Sequence, residues 1–195
     1  MKLWIILLVI AMLVAPKAFA DPGAELSPDD ATATSSDAEM DERENIIVWL
    51  GHYHKIPDRR QFESISDDAR DIIFEIAQDE EAPAFYQRRA MKALSNWADE
   101  EVYEYLVGVL DEKSTDDGLR HHLLLVLADG FGEEALDHLR PYLFEASDPH
   151  LRISAANAIA QIPGDRAYEM LVDALHQEEH PVVESRLKQF APRLR

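Results

Sequence analysis

The sequence contains no cysteine. Disulfide bonds, lipid attachment to a cysteine and a cysteine nucleophile are therefore excluded. A small exported domain needs disulfides mainly when its core is too small, and a chain of 195 residues is long enough for one domain held by apolar burial alone. A cysteine-free exported chain suits a bacterial envelope.

Basic residues are scarce. The chain has 19 Lys and Arg against 38 Asp and Glu, and its formal net charge is −19. Nucleic acid and anionic lipid surfaces are poor partners for such a chain, because binding to them relies on positive charge. A basic protein partner or a divalent cation is electrostatically favoured, and the alternative is that the charge serves only solubility.

Long apolar runs are missing after the first twenty residues. Within those twenty residues, Lys2 precedes an unbroken apolar run, and Ala18-Phe19-Ala20 stands directly before Asp21. This layout predicts a secretory signal peptide over residues 1–20. An uncleaved anchor is the alternative, but a helix between Lys2 and Lys17 would span only about 21 Å of a hydrocarbon core about 30 Å thick. We expect export to a bacterial periplasm or cell envelope, or outside the cell, with no stable membrane insertion of the mature chain.

The mature chain divides into three parts. Residues 21–41 hold seven acids and no base and almost no large apolar side chains, so we expect a disordered acidic tether. Residues 42–82 read as an N-terminal helical cap or diverged repeat. Residues 83–195 carry the repeats described next. In no segment do apolar and polar residues alternate with the two-residue period of a strand, and this favours an all-α fold.

Four segments align without gaps at spacings of 33, 32 and 32 residues. They begin at Tyr86, Leu119, Leu151 and Val183. A second apolar stripe follows each of the first three segments at the same period. Internal repetition of this length with two helices per unit predicts a stacked helical solenoid.

The segment "DPHLRISAANAIAQI" resembles a HEAT or HEAT-like (PBS-lyase-type) repeat. That motif implies an Asp before the helix, an Arg in its first turn and a run of small residues, and Asp148, Arg152, Ala155 and Ala156 match it. The resemblance implies a short right-handed α-α superhelix of about three to four helix pairs. It also implies that an Asp–Arg pair ties adjacent repeats, so Arg120 and Arg152 are expected to be structural.

The second helices carry the candidate binding residues. A helical wheel places Glu104, Asp137 and Glu169 at one position of three consecutive repeats, opposite the buried stripe. Second helices of such solenoids usually line the concave surface, which often binds partners. We therefore predict an acidic groove for a basic, partly apolar peptide, with Val107 and Val172 exposed nearby. The predicted contacts are Glu104, Asp137, Glu169, Asp173, Phe144, Asp111 and His176.

The histidines do not form a convincing metal site. His52 and His54 are not on one helical face, and His176 and His180 have the spacing of a metal pair but no third ligand. Catalytic patterns are absent as well: there is no Gly-rich phosphate loop, no Ser-His-Asp arrangement and no His-Glu dipeptide of the kind used by HEAT-like hydroxylases.

The sequence thus predicts a non-catalytic exported scaffold that binds a protein or basic peptide, without cofactor or metal. The alternatives are a divalent-metal-binding envelope protein that uses His176 with nearby acids, and a HEAT-like enzyme accessory.

Overall fold

The computed structural model describes residues 33–51 and 55–190, with side chains from residue 42 onward. The predicted signal peptide and the pair His52 and His54 lie outside the described residues. Within those residues all regular secondary structure is helical, which confirms the all-α prediction. The helices are α1 (Ala33–Leu50), α2 (Arg59–Glu63), α3 (Ala69–Gln78), α4 (Ala84–Leu94), α5 (Glu100–Asp111), α6 (Asp117–Phe131), α7 (Leu136–Phe144), α8 (Pro149–Ile159), α9 (Asp165–Gln177) and α10 (Pro181–Phe190).

Helix α1 reaches further towards the N-terminus than the composition suggests. It begins at Ala33, so residues 33–41 of the predicted tether are helical, while residues 21–32 lie outside the described part. Extending an existing helix adds one hydrogen bond for each residue ordered, whereas starting one is costly. The packed half of α1, which buries Ile46 and Leu50, therefore supports the continuation.

The helices stack in two layers as a short α solenoid. The first helices of successive units, α4, α6, α8 and α10, pack side by side, and each second helix, α5, α7 and α9, packs mainly on the first helix of the following unit. Before them, α1 and α3 pack on each other and on α4. The N-terminal part thus supplies a further helix pair.

The repeat register defines the core. One repeat position is buried in all three units, by Val102 in α5, Ala167 in α9 and Ala135 in the short 3-10 turn directly before α7. Leu106, Leu139 and Leu171 are buried one turn later. On α8, Ala155, Ala156 and Ala158 are fully buried. Small side chains here let neighbouring helices approach closely, so the predicted stripe is a packing stripe.

Helix starts follow the predicted pattern with one exception. Asp99, Asp116 and Asp148 each accept a hydrogen bond from a backbone N–H of the first turn, which caps the helix. Helix α9 differs, because its N-cap is Gly164 and Asp165 is its first residue. Gly164 has φ +124°, a conformation that other residues rarely adopt.

One position in the first turn of the first helices anchors the preceding loop. Gln87 donates to the carbonyls of Asp79 and Ala82 at 2.6 and 2.9 Å, and Arg120 donates to the carbonyl of Glu112 at 2.7 Å. Arg152 donates to the carbonyl of Ala146 at 2.7 Å. These side chains satisfy carbonyls at helix ends that have no partner within a helix.

The implied Asp–Arg pairing occurs only in part: Arg120 contacts Asp117 at 3.3 Å, but within one helix and not between repeats. Asp148 caps its own helix, and the carboxylate that binds Arg152 is Glu178, the C-cap residue of α9. Asp116 does contact an arginine of the previous unit, but that arginine is Arg88, at 3.5 Å. The structural role of Arg120 and Arg152 holds, because both fix loop carbonyls.

The pair of Arg152 and Glu178 is the most buried ion pair in the described part of the chain, with side chains 15% and 10% exposed. Two hydrogen bonds of 2.9 and 3.1 Å join the guanidinium to the carboxylate, and the backbone N–H of His180 adds a third at 2.8 Å. Burial favours the neutral acid, but these donors outweigh it and hold the pKa of Glu178 below its usual value. The pair joins the start of α8 to the end of α9.

Replacing Glu178 tests this joint. Glu178→Ala leaves the buried Arg152 charge without its carboxylate, so we expect the free energy of unfolding to fall by about 3 kcal/mol. Glu179→Ala is the matched control, since that neighbouring side chain is exposed, and it should change the value by less than about 0.5 kcal/mol. Urea unfolding followed by circular dichroism measures both.

The effect depends on pH in a defined direction. Because the folded-state pKa of Glu178 is lowered, its contribution is complete above the unfolded value of about 4.3 and is lost as the pH falls through the folded value. The difference between wild type and Glu178→Gln should therefore be full near neutrality and shrink below about pH 4. A difference that grows in acid would contradict this assignment.

Candidate protein-interaction surface

The outward faces of α5, α7 and α9 form what we call the second-helix surface. Glu104, Asp137 and Glu169 occupy equivalent positions on it, and all three are exposed. Asp111, Asp173 and His176 are exposed on the same helices. The structure therefore places the predicted polar contacts on the side of the second helices that faces away from the core.

Side chains join these helices into one surface. The Tyr103 hydroxyl of α5 lies 2.8 Å from Nδ1 of His138 on α7, and the two rings stack edge to face. The Tyr142 hydroxyl of α7 donates to the carboxylate of Asp111 at 2.9 Å. Burial, reinforced by that carboxylate, raises the pKa of Tyr142 to about 12, so the hydroxyl keeps its proton near neutrality.

The acids of this surface differ in their pairing. Asp137 accepts a hydrogen bond of 2.9 Å from Arg166 of α9, with side chains 76% and 55% exposed. An exposed pair of this kind contributes little to stability and is open to exchange. Within the described residues, Glu104, Glu169 and Asp173 make no side-chain hydrogen bond or ion pair. These three acids are the ones available to a partner.

The apolar part of the predicted groove is less exposed than expected. Phe144 is half-buried, and the Arg140 guanidinium lies 5.0 Å from its ring centre. Val107 is also partly buried and packs against the core, and Val172 is partly buried. The helical wheel missed this because neighbouring repeats cover the flanks of each second helix. The surface is consequently more polar than predicted.

An ion-pair network around Arg70, which the sequence did not predict, lies at the N-terminal end of the surface. Arg70 of α3 binds Asp99 through two hydrogen bonds of 2.9 and 3.0 Å and Glu101 through one of 2.6 Å. The hydrogen bonds to Asp99 and then Glu101 raise the pKa of Arg70, and Arg70 lowers that of Asp99. Sequence spacing gave no signal for a contact across 29 residues.

Metal ligation has no support in the described part of the chain. There, His, Asp and Glu side chains form no group of three or more that could hold a metal ion. His176 is exposed near the end of α9, and the His180 backbone is engaged by Glu178. Among the same residues, no helix is both long and apolar enough to cross a membrane.

Comparison with known families agrees with the stacked architecture. Residues 112–189 match the family model described as HEAT repeats, which spans α6 to α10 apart from the last residue of α10. The match supports a HEAT-like repeat protein, and such repeats form helical scaffolds that often mediate protein interactions. No curated protein matches the chain.

The open face of α5 can be tested at Gly108, which lies one turn from Glu104. A Cβ atom added there meets no atom within 4 Å. Gly108→Ala should therefore stabilise the fold by about 0.5–1 kcal/mol, because alanine loses less conformational freedom in a helix. Thermal unfolding measures the change.

Gly164→Ala provides the contrast. Its positive φ, which side chains rarely adopt, predicts destabilisation, and the flexible Glu133 side chain would also have to move away from an added Cβ. A destabilising Gly108→Ala would mean that this face of α5 is covered.

Proposed function

We propose that the chain is a non-catalytic, exported scaffold that holds a basic protein or peptide partner on its acidic second-helix surface. The observation that carries this proposal is the set of equivalent, exposed acids on three adjacent helices, of which Glu104 and Glu169 have no partner in the described part of the chain. The HEAT-repeat match supports a scaffold of the kind that often binds proteins.

The charge arrangement favours a cationic ligand. Packed helices lie about 8–10 Å apart, which is close to the screening length of about 8 Å at physiological salt. The acids therefore repel one another only mildly, while their fields add at the surface. The pair of Asp137 and Arg166 can open to admit a competing cation, because both side chains are largely solvated.

The surface suits an extended ligand better than a reacting substrate. Its acids are exposed, and none of Glu104, Asp137 or Glu169 lies in an enclosed pocket that would exclude water. The equivalent positions of these acids along three adjacent helices instead suit repeated charge pairing with an extended basic ligand.

Charge reversal tests the surface directly. The triple variant Glu104→Lys, Asp137→Lys and Glu169→Lys should lose capture of partners from envelope extract, because it turns attraction for a basic ligand into repulsion. The matched control reverses Glu80, Glu145 and Glu179, which are exposed acids outside the second-helix surface, and should keep capture. Crosslinking followed by mass spectrometry identifies the captured proteins.

Folding of both triple variants is checked by circular dichroism, and capture by the wild type should weaken as salt rises. Undiminished capture of the same partners by the first variant would overturn the proposed surface.

Export is tested by the mass of the protein recovered from cells. Cleavage after Ala20 predicts a mature chain that begins at Asp21, and intact-mass spectrometry of the envelope fraction measures it. Ala18→Arg and Ala20→Arg together should block cleavage, because the site requires small residues. A chain that keeps residues 1–20 would favour the anchor instead.

A further inference from the structure

The carbonyl of the next-to-last residue of a second helix accepts a tyrosine hydroxyl at two successive places in the stack. The Tyr105 hydroxyl of α5 donates to the Ala77 carbonyl at the end of α3 at 2.7 Å. The Tyr142 hydroxyl of α7 donates to the Leu110 carbonyl at the end of α5 at 3.1 Å. Because carbonyls in the last turn of a helix have no partner within that helix, these hydroxyls supply the missing donor.

The end of α7 lacks this donor. The equivalent carbonyl there belongs to Leu143, and no hydrogen bond joins it to another residue in the described part of the chain. The positions that correspond to Tyr105 and Tyr142 hold Met170 and Ala174, whose side chains carry no donor. In their place lies an open hollow of about 550 Å³, with Leu143 and Ala174 among its wall residues. We call it the α7-end hollow.

A second polar atom beside the α7-end hollow is also without a partner. His180 forms part of the wall, and its Nδ1 atom is buried and makes no hydrogen bond to any described residue. Buried polar atoms without a partner cost free energy, which a ligand with a suitable polar group can recover. Arg152 and Glu178 of the same wall offset each other's charge, so this part of the wall favours an uncharged ligand over an ion.

We propose that the α7-end hollow binds a phenol ring presented by another molecule, with the ring hydroxyl donating to the Leu143 carbonyl. Tyr105 and Tyr142 are the two examples within the chain of the group that this place takes. Their hydroxyls remain donors near neutrality, because burial raises the pKa of each to about 12. The site uses none of the three equivalent acids of the second-helix surface, so it does not rest on the proposed function.

Two kinds of molecule present such a ring, a protein through a tyrosine side chain and a free phenolic compound. N-acetyl-tyrosine amide carries a peptide group on each side of the residue, whereas 4-methylphenol is the ring with a single methyl group. Tighter binding of the amide assigns the hollow to a tyrosine residue of a partner protein. Equal or tighter binding of 4-methylphenol assigns it to a small phenol.

Nuclear magnetic resonance titration of the nitrogen-15-labelled protein measures the binding. We expect saturable shifts of the amide signals of Ala174 and His180, with a Kd of about 1 mM for a contact made by a single ring. N-acetyl-phenylalanine amide differs from the tyrosine probe only by the hydroxyl. It should bind about fivefold more weakly, because it cannot donate to the Leu143 carbonyl.

Two variants give the chain its own ring at the α7-end hollow. Ala174→Tyr reproduces the position of Tyr142 and should weaken binding of the tyrosine probe about tenfold or more. Met170→Tyr reproduces the position of Tyr105. It should weaken binding about fivefold and remove the difference between the tyrosine and phenylalanine probes, because the Leu143 carbonyl is then occupied. Met170→Leu is the matched control, since it keeps an apolar side chain without a hydroxyl, and it should bind as the wild type does.

Three outcomes overturn the proposal. The first is the absence of saturable shifts at Ala174 and His180. The second is equal binding of the tyrosine and phenylalanine probes to the wild type, since the hydroxyl is then not recognised. The third is undiminished binding by Met170→Tyr that is folded by circular dichroism, which remains informative even where Ala174→Tyr does not fold. Glu104→Lys should leave the titration unchanged, so failure here is distinguishable from failure of the proposed surface.

Discussion

Burial of one apolar stripe between consecutive helix pairs is the constraint on which the structure depends. A single pair cannot hide its apolar side alone, so each unit needs a neighbour. Alanine at positions such as Ala135 and Ala155 keeps the helices close, while Leu106 and Leu139 fill the space between them. The stack follows from this local rule applied at a period of 32 or 33 residues.

Polar anchoring sets the angle between units once the stripe is buried. Gln87, Arg120 and Arg152 hold the carbonyls that end the previous unit, and Glu178 then fixes Arg152 from the far side. Removing these charged and polar groups from water costs free energy. The hydrogen bonds offset that cost only because each donor meets an acceptor. They confer a defined geometry on loops that the apolar stripe does not reach.

Charge is separated between the two helices of the unit formed by α4 and α5. Helix α4 carries Arg88, Arg89 and Lys92 and no acid, whereas α5 carries four acids and no base. Acids are excluded from the core, so those of the second helices align on the outward side. Because the three second helices share one register, Glu104, Asp137 and Glu169 form a row on that side, and the proposal of a cationic partner rests on this row.

The sequence by itself determined the helical class, the period, the buried positions and the outward direction of Glu104, Asp137 and Glu169. These follow from local periodicity, which depends on neighbours within one helix. Only the tertiary structure decided which acids have an ion-pair partner within the chain and which do not. Asp137 is paired with Arg166, Arg70 binds Asp99 and Glu101, and Phe144 is half-buried. The two ion-pair contacts join residues about one repeat apart, and sequence spacing does not predict which side chains meet over that distance.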